Sequence, residues 1–115
     1  MRSAIVFRYS RPHPGREKMG FEAFGDALAF FGKQATDGAC EMPVTYMPAA
    51  GGGMMIVHGE RERLLGILGG EEFARVYYRA GYTVPELTYE VMIGGEDTMT
   101  HMGLWATVGG ELGVM

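Results

Sequence analysis

Histidine is the residue type in this chain best suited to proton transfer near neutral pH, and it occurs three times. His58 lies between a strand-like run and a helix-like segment, a junction that we expect to open into a pocket, where its imidazole can act as a general base. The alternative is a histidine that is hydrogen-bonded in the core or at the rim of a sheet. His13, between two prolines, is expected in an exposed loop, and His101 lies in the tail.

Metal and phosphate chemistry find little support in the spacing of residues. No two histidines show the HxH or HxxxH spacing typical of a metal site. The run Gly51–Gly53 precedes a strand-like segment rather than a helix, which argues against a phosphate-binding loop. Neither a Ser-His-Asp triad nor a pair of catalytic carboxylates can be inferred from spacing. We therefore predict no metal and no cofactor.

Aromatic residues suggest a binding role instead. Six tyrosines and six phenylalanines occur in 115 residues, and aromatic rings with a few hydroxyls around a cleft suit a flat organic ligand. The same residues also suit an ordinary core. We expect a pocket between a sheet and its helices, lined by Tyr9, Phe24, Leu28, Tyr46, His58 and Tyr77.

The elements that must position these residues follow the order β-α-β-β-α-β, with the second helix split at Gly69-Gly70. The alternation of apolar residues predicts strands, and their recurrence at three- and four-residue steps predicts helices. The predicted elements are a strand over 4–9, a helix over 16–35, strands over 40–47 and 54–58, a helix over 60–68 continued over 71–80, and a strand over 87–93.

One face of the first helix is marked by Phe21, Phe24, Leu28 and Phe31, which form a single helical stripe. After the last strand the composition changes. We therefore divide the chain into a domain over 1–93 and a glycine-rich tail over 94–115. For Leu104–Val108 in this tail the options are a short strand, packing on a partner subunit, or disorder.

Apolar residues occupy both faces of the predicted strands. In the first strand Ile5, Phe7 and Tyr9 point one way, and Val6 lies on the other face with Arg8. An antiparallel sheet with one solvated face should be polar on that face. Because helices can cover one face only, we predict that a second subunit covers the other in a homodimer.

Composition excludes several functional classes. The chain is 47% hydrophobic, which is ordinary for one globular domain, and its formal net charge of −4 with scattered basic residues argues against nucleic-acid binding. No apolar run approaches the roughly 20 residues that span a bilayer. Cys40 is the single cysteine, so no internal disulfide can form, and we predict a cytoplasmic protein without a membrane segment.

The stretch 55–65 (MIVHGERERLL), in which a strand passes straight into a helix, and Glu71-Glu72-Phe73, which opens a further helical turn, carry a family resemblance. With the order of elements over 4–93, the chain resembles the dimeric α+β barrel superfamily of ferredoxin-like proteins, in particular small uncharacterised members with a split second helix. The resemblance implies an α+β fold with a four-stranded antiparallel sheet. It also implies that two such sheets pack face to face as a dimeric barrel.

For function, the resemblance and the aromatic residues together favour a homodimeric barrel that binds a small apolar or aromatic molecule. One alternative is a cofactor-independent monooxygenase, as in some relatives, in which His58 takes a proton from an aromatic substrate and Tyr46 or Arg8 stabilises the resulting anion. Another is a structural or interaction module. The resemblance also places strands one and four apart, so a structural ion pair between Arg8 and Glu90 is open both within and across subunits.

Overall fold

The computed structural model describes residues 1–115 and has an α+β fold of four strands and four helices. Short connections join these elements along the chain. They are β1 (Arg2–Tyr9), α1 (Glu17–Thr36), β2 (Val44–Tyr46), β3 (Gly53–Glu60), α2 (Arg61–Leu68), α3 (Glu71–Gly81), β4 (Thr88–Ile93) and α4 (Glu96–Glu111).

All four strands pair antiparallel in one sheet of order β2-β3-β1-β4. Ile5 at the centre of β1 lies opposite Val57 on β3 and Val91 on β4. The predicted α+β class and the four antiparallel strands are confirmed. The expected separation of strands one and four is wrong, because β1 is hydrogen-bonded to β4 along six consecutive residue pairs.

One face of the sheet, here called the core face, packs against α1, α2 and α3. Ile5 and Phe7 of β1 and Val57 of β3 point to it, each at most 4% exposed. Phe31 from α1 and Leu64 from α2 close over them. Strand alternation sends every second side chain to the same side, so Ile5 and Phe7 of β1 form one apolar layer with Met55 and Val57 of β3.

Two sequence predictions need correction in this region. The second strand is only Val44–Tyr46, because Pro43 and Pro48 bracket it and neither can donate a backbone hydrogen bond to a neighbour. On α1, Phe21 does not share the buried stripe and is 74% exposed, whereas Gly20 and Ala23 are buried. Gly20 faces Pro12 and Val84, where a larger side chain would collide with the proline ring.

The tail forms helix α4, so a strand or disorder over Leu104–Val108 is wrong. Glu96 and Asp97 lie in the first turn, where carboxylates interact favourably with the helix dipole. The helix packs little on the rest of the chain, and its apolar side chains are exposed: Met99, Met102, Leu104, Trp105 and Val108. No helix in the structure combines the length and the hydropathy that crossing a membrane requires.

Candidate ligand cavity

A cavity of about 970 Å³ lies between the core face of the sheet and helices α1 and α3. Its inner wall is largely aromatic. Phe7 and Met55 line it from the sheet, Phe31 from α1, and Phe73 and Tyr77 from α3. The volume is at the upper end of the range for small-molecule sites, and apolar walls with a few polar groups are typical of such sites.

The aromatic wall is held by ring-to-ring packing. Phe73 and Tyr77, one helical turn apart on α3, stack with their ring centroids 5.6 Å apart. Phe7 lies 5.6 Å from Phe31 in a tilted arrangement. Tyr9 and Phe24 continue the wall toward the opening, with ring centroids 6.1 Å apart. Each ring restrains its neighbour, so the cavity is framed by packed side chains rather than by mobile ones.

Two loops form the mouth of the cavity, which we define as the part lined by Ser10–Pro14, Glu17 and the turn Gly51-Gly52. Two glycines let side chains of these loops approach closely. A Cβ atom on Gly20 would lie 2.4 Å from Cγ of Pro12, and one on Gly51 would lie 2.5 Å from Cγ of Arg11. The backbone N–H of His13 also donates to the carbonyl oxygen of Thr83 at 3.0 Å. Gly20 is therefore favoured by the close proline ring, and Gly51 by its positive φ of 90°.

Polar groups in the cavity divide into those with a partner in the chain and those without. The Ser10 hydroxyl donates to the Glu86 carboxylate at 2.8 Å, and the Tyr77 hydroxyl donates to the Leu87 carbonyl at 3.2 Å. The Tyr9 hydroxyl has no such partner. Burial raises the pKa of Tyr9, and burial followed by the charge of Tyr89 raises that of Tyr77, so both phenols stay protonated at neutral pH.

Four of the six residues predicted to bind a ligand line this cavity: Tyr9, Phe24, Tyr46 and Tyr77. Tyr46 lines it from the edge strand β2, although its pairing with Met54 directs the side chain to the opposite face of the sheet. Leu28 packs at the margin of the core and does not line the cavity.

His58 and Arg8 lie on the other side of the sheet, here called the open face, which no helix covers. Arg8, Met54 and Tyr46 form one row across β1, β3 and β2. His58 is four residues further along β3, which separates it from that row by about 13 Å at the strand rise. The structure therefore brings Arg8 and Tyr46 into one row and leaves His58 apart from both.

Ion pairs occupy part of the open face. The Arg8 guanidinium donates to the Glu90 carboxylate at 2.5 Å within the same chain, across the adjacent strands β1 and β4. Near the other end of the face, Arg2 donates to the Glu41 carboxylate. That hydrogen bond from Arg2 holds the pKa of Glu41 below its ordinary value, and the charges of Arg2 and His58 lower it further. Arg8 thus has a partner within the subunit.

Most of the residues that line the cavity were not predicted from sequence, and three of them carry titratable side chains. Arg11, His13 and Glu17 line the mouth, although the Pro-His-Pro segment suggested only an exposed loop. Glycine was the available signal. Gly20 interrupts an otherwise regular helix, and such a glycine often marks a close approach of another segment. Which segment approaches it, here Pro12, depends on the tertiary fold.

Comparison with known proteins supports the fold. No protein-family model matches this chain, and no curated protein sequence matches it significantly. Among solved structures it is similar to Rv0793 from Mycobacterium tuberculosis (14% identity, TM-score 0.67), over 84% of this chain and 97% of the other. It is also similar to a conserved protein from Methanosarcina mazei Go1 (10% identity, TM-score 0.63), over 83% and 95% of the respective chains. At these identities the chain shares with them a small α+β fold.

Proposed function

We propose that this protein is a homodimeric, ferredoxin-like α+β barrel that binds a small apolar or aromatic molecule in the cavity between its sheet and helices. The observation that carries the proposal is the cavity of about 970 Å³ with its aromatic wall. A fully packed core would leave no such volume, since protein interiors are normally filled to crystal-like density. The cytoplasmic location predicted from the single cysteine is part of this proposal.

The open face supports the dimer. Val6 and Ile56 occupy its centre, flanked by Val44 on β2 and Met54 on β3, and no helix of the chain lies over them. Val6 is already buried, and a second copy packed on this face would cover the accessible Val44, Met54 and Ile56 and close a barrel. Helix α4 supports association as well, because an exposed tryptophan such as Trp105, 81% exposed, is typical of a surface that another protein covers. We propose that α4 packs on the partner subunit.

The oxygenase reaction considered from sequence is not part of this proposal. It needs a proton acceptor next to the substrate, and His58 lies on the open face, across the sheet from the cavity. Its suggested partners Tyr46 and Arg8 point to that face as well. The remaining alternative is a structural or interaction module that binds no small molecule. The following experiment distinguishes it from a ligand-binding protein.

A neutral fluorescent probe tests the cavity directly. We expect 1-pyrenebutanol to bind the native protein with increased fluorescence anisotropy and an emission spectrum typical of an apolar environment. Ala27→Phe places a ring in the cavity from α1 and should weaken binding by about tenfold or more. Ala29→Phe is the matched control, because Ala29 is on the exposed side of the same helix.

The outcomes separate a cavity ligand from a surface one. Binding that is lost in Ala27→Phe and retained in Ala29→Phe supports the cavity. Equal binding by both variants would place the probe elsewhere, with α4 as the first candidate, and would contradict the proposal. Native mass spectrometry of freshly purified protein reports subunit number and any retained ligand in the same preparation, and a monomer would overturn the barrel.

A further inference from the structure

We infer that the cavity takes an amphipathic ligand, an aromatic or apolar body with a carboxylate head, and that Arg11 binds this head at the mouth while Glu17 opposes it. The inference rests on the proposed function, since it concerns the chemistry of the same cavity. It goes further by stating which end of the ligand lies outward and which charge that end carries.

Polarity changes along the cavity in one direction. The inner end is walled by Phe7, Phe31 and Phe73, which offer no hydrogen bond to a ligand. Charged side chains occur in the lining only at the mouth, where Arg11 comes from the loop after β1 and Glu17 from the first turn of α1. A ligand that matches both ends has an apolar body inside and a polar head outside, because burying an unpaired polar group against the aromatic wall is costly.

Arg11 is a guanidinium without a partner in the chain. Six of the eight arginines bond a carboxylate or a backbone carbonyl, and these six are Arg2, Arg8, Arg16, Arg63, Arg75 and Arg79. Of the other two, only Arg11 lines the cavity. Its stem lies against Gly51, where any side chain would collide with it. This contact places the stem beside the opening, while the exposed guanidinium keeps its donors free, and guanidinium pairs well with a carboxylate.

Tyr9 adds a second donor on the same side of the mouth. Its hydroxyl oxygen is 3.4 Å from the position of a Cβ on Gly53, so it borders the same glycine turn that Arg11 contacts through Gly51. Burial raises its pKa, which keeps the phenol protonated and able to donate. Arg11 and Tyr9 both donate, so they favour an acceptor-rich head. Glu17 is the only carboxylate in the lining and repels such a head.

The test compares two probes that differ only in the head, 1-pyrenebutyrate and 1-pyrenebutanol, by fluorescence titration of the full-length protein. Arg11→Gln should weaken butyrate binding by about tenfold and change butanol binding by less than about twofold. Glu17→Gln should tighten butyrate binding by about threefold, because it removes a like charge. Arg75→Gln is the matched control, since Arg75 pairs with Glu71 on the surface of α3 and does not line the cavity.

The failure of this inference differs from the failure of the proposed function. If the native protein binds both probes equally and Arg11→Gln changes neither, the acid preference is wrong while the cavity still binds ligands. If neither probe binds, the proposed function fails and this inference with it. Opposite effects of Arg11→Gln and Glu17→Gln on butyrate alone support the inference, because partial unfolding cannot tighten binding in one variant and weaken it in the other.

Discussion

The two faces of the sheet are built from alternate residues of the same strands, yet they differ in what covers them. On the core face, Phe7 and Met55 are buried under three helices. On the open face, Ile56 is half-buried and Tyr46 is 61% exposed, and no helix lies above them. The open face also carries the ion pair between Arg8 and Glu90.

This difference shows that apolar character alone does not decide whether a sheet face is covered within the chain. Both faces have apolar centres, but the core face is closed within one chain and encloses a cavity. The open face mixes apolar residues with charges, as association surfaces do. Substitutions that act on one face should therefore change folding, and substitutions on the other should change assembly. The following predictions test that separation.

The largest effect is expected on the core face. Phe31→Ala should lower the free energy of unfolding by about 3–5 kcal/mol, because it removes a fully buried ring and leaves a cavity. Urea unfolding followed by circular dichroism measures this. Phe21→Ala on the same helix is the control and should cost less than about 1 kcal/mol, since that ring is 74% exposed. Similar losses for both variants would contradict the assignment of the α1 buried face.

An intermediate effect is expected on the open face. Ile56→Glu should weaken the proposed dimer by about 100-fold in Kd, because a carboxylate would be buried at the centre of the interface without a partner. Light scattering over a concentration series reports the subunit number, and circular dichroism should show a folded monomer.

The control for the dimer is Leu65→Glu, which places the same charge at an exposed position of α2 and should leave association unchanged. An Ile56→Glu protein that still dimerises would show that the open face is not the interface. An Ile56→Glu protein that is unfolded would show that Ile56 is needed for folding, as the fully buried Val57 is expected to be.

The smallest effect concerns the charged edge of the open face. Arg2 lowers the pKa of Glu41 in the folded protein, so this ion pair stabilises the fold above the ordinary carboxyl pKa of 4.5. The stabilisation is lost as pH falls through the lower, folded-state value. Glu41→Gln should thus lower the thermal midpoint slightly at pH 7 and flatten its decline below about pH 4.5. Parallel declines in both proteins would contradict the pairing.

Local patterning predicted most of the elements. Alternation over 4–9 and 87–93 was sufficient for β1 and β4, and the Gly69-Gly70 break correctly divided the second helix into α2 and α3. The prediction of a short strand or disorder in the tail is wrong. Its glycines do not prevent a helix, and the carboxylates of Glu96 and Asp97 favour a helix start. Helices tolerate glycine at modest cost, so composition alone did not settle that segment.

The sequence by itself determined the period with which apolar residues recur. That period indicates strands or helices, because every strand and every helix repeats its side-chain directions with the same local geometry. The sequence therefore predicted the α+β class and a pocket between sheet and helices, with four of its six proposed lining residues in the observed cavity and with Leu28 and His58 outside it. Only the tertiary structure decided that β1 pairs with β4, that His58 faces away from the cavity, and that Arg11 and His13 stand at its mouth. Those facts depend on which strands are neighbours and on which loops pack against which helices. Both are contacts between residues far apart in the chain, and no local period encodes them.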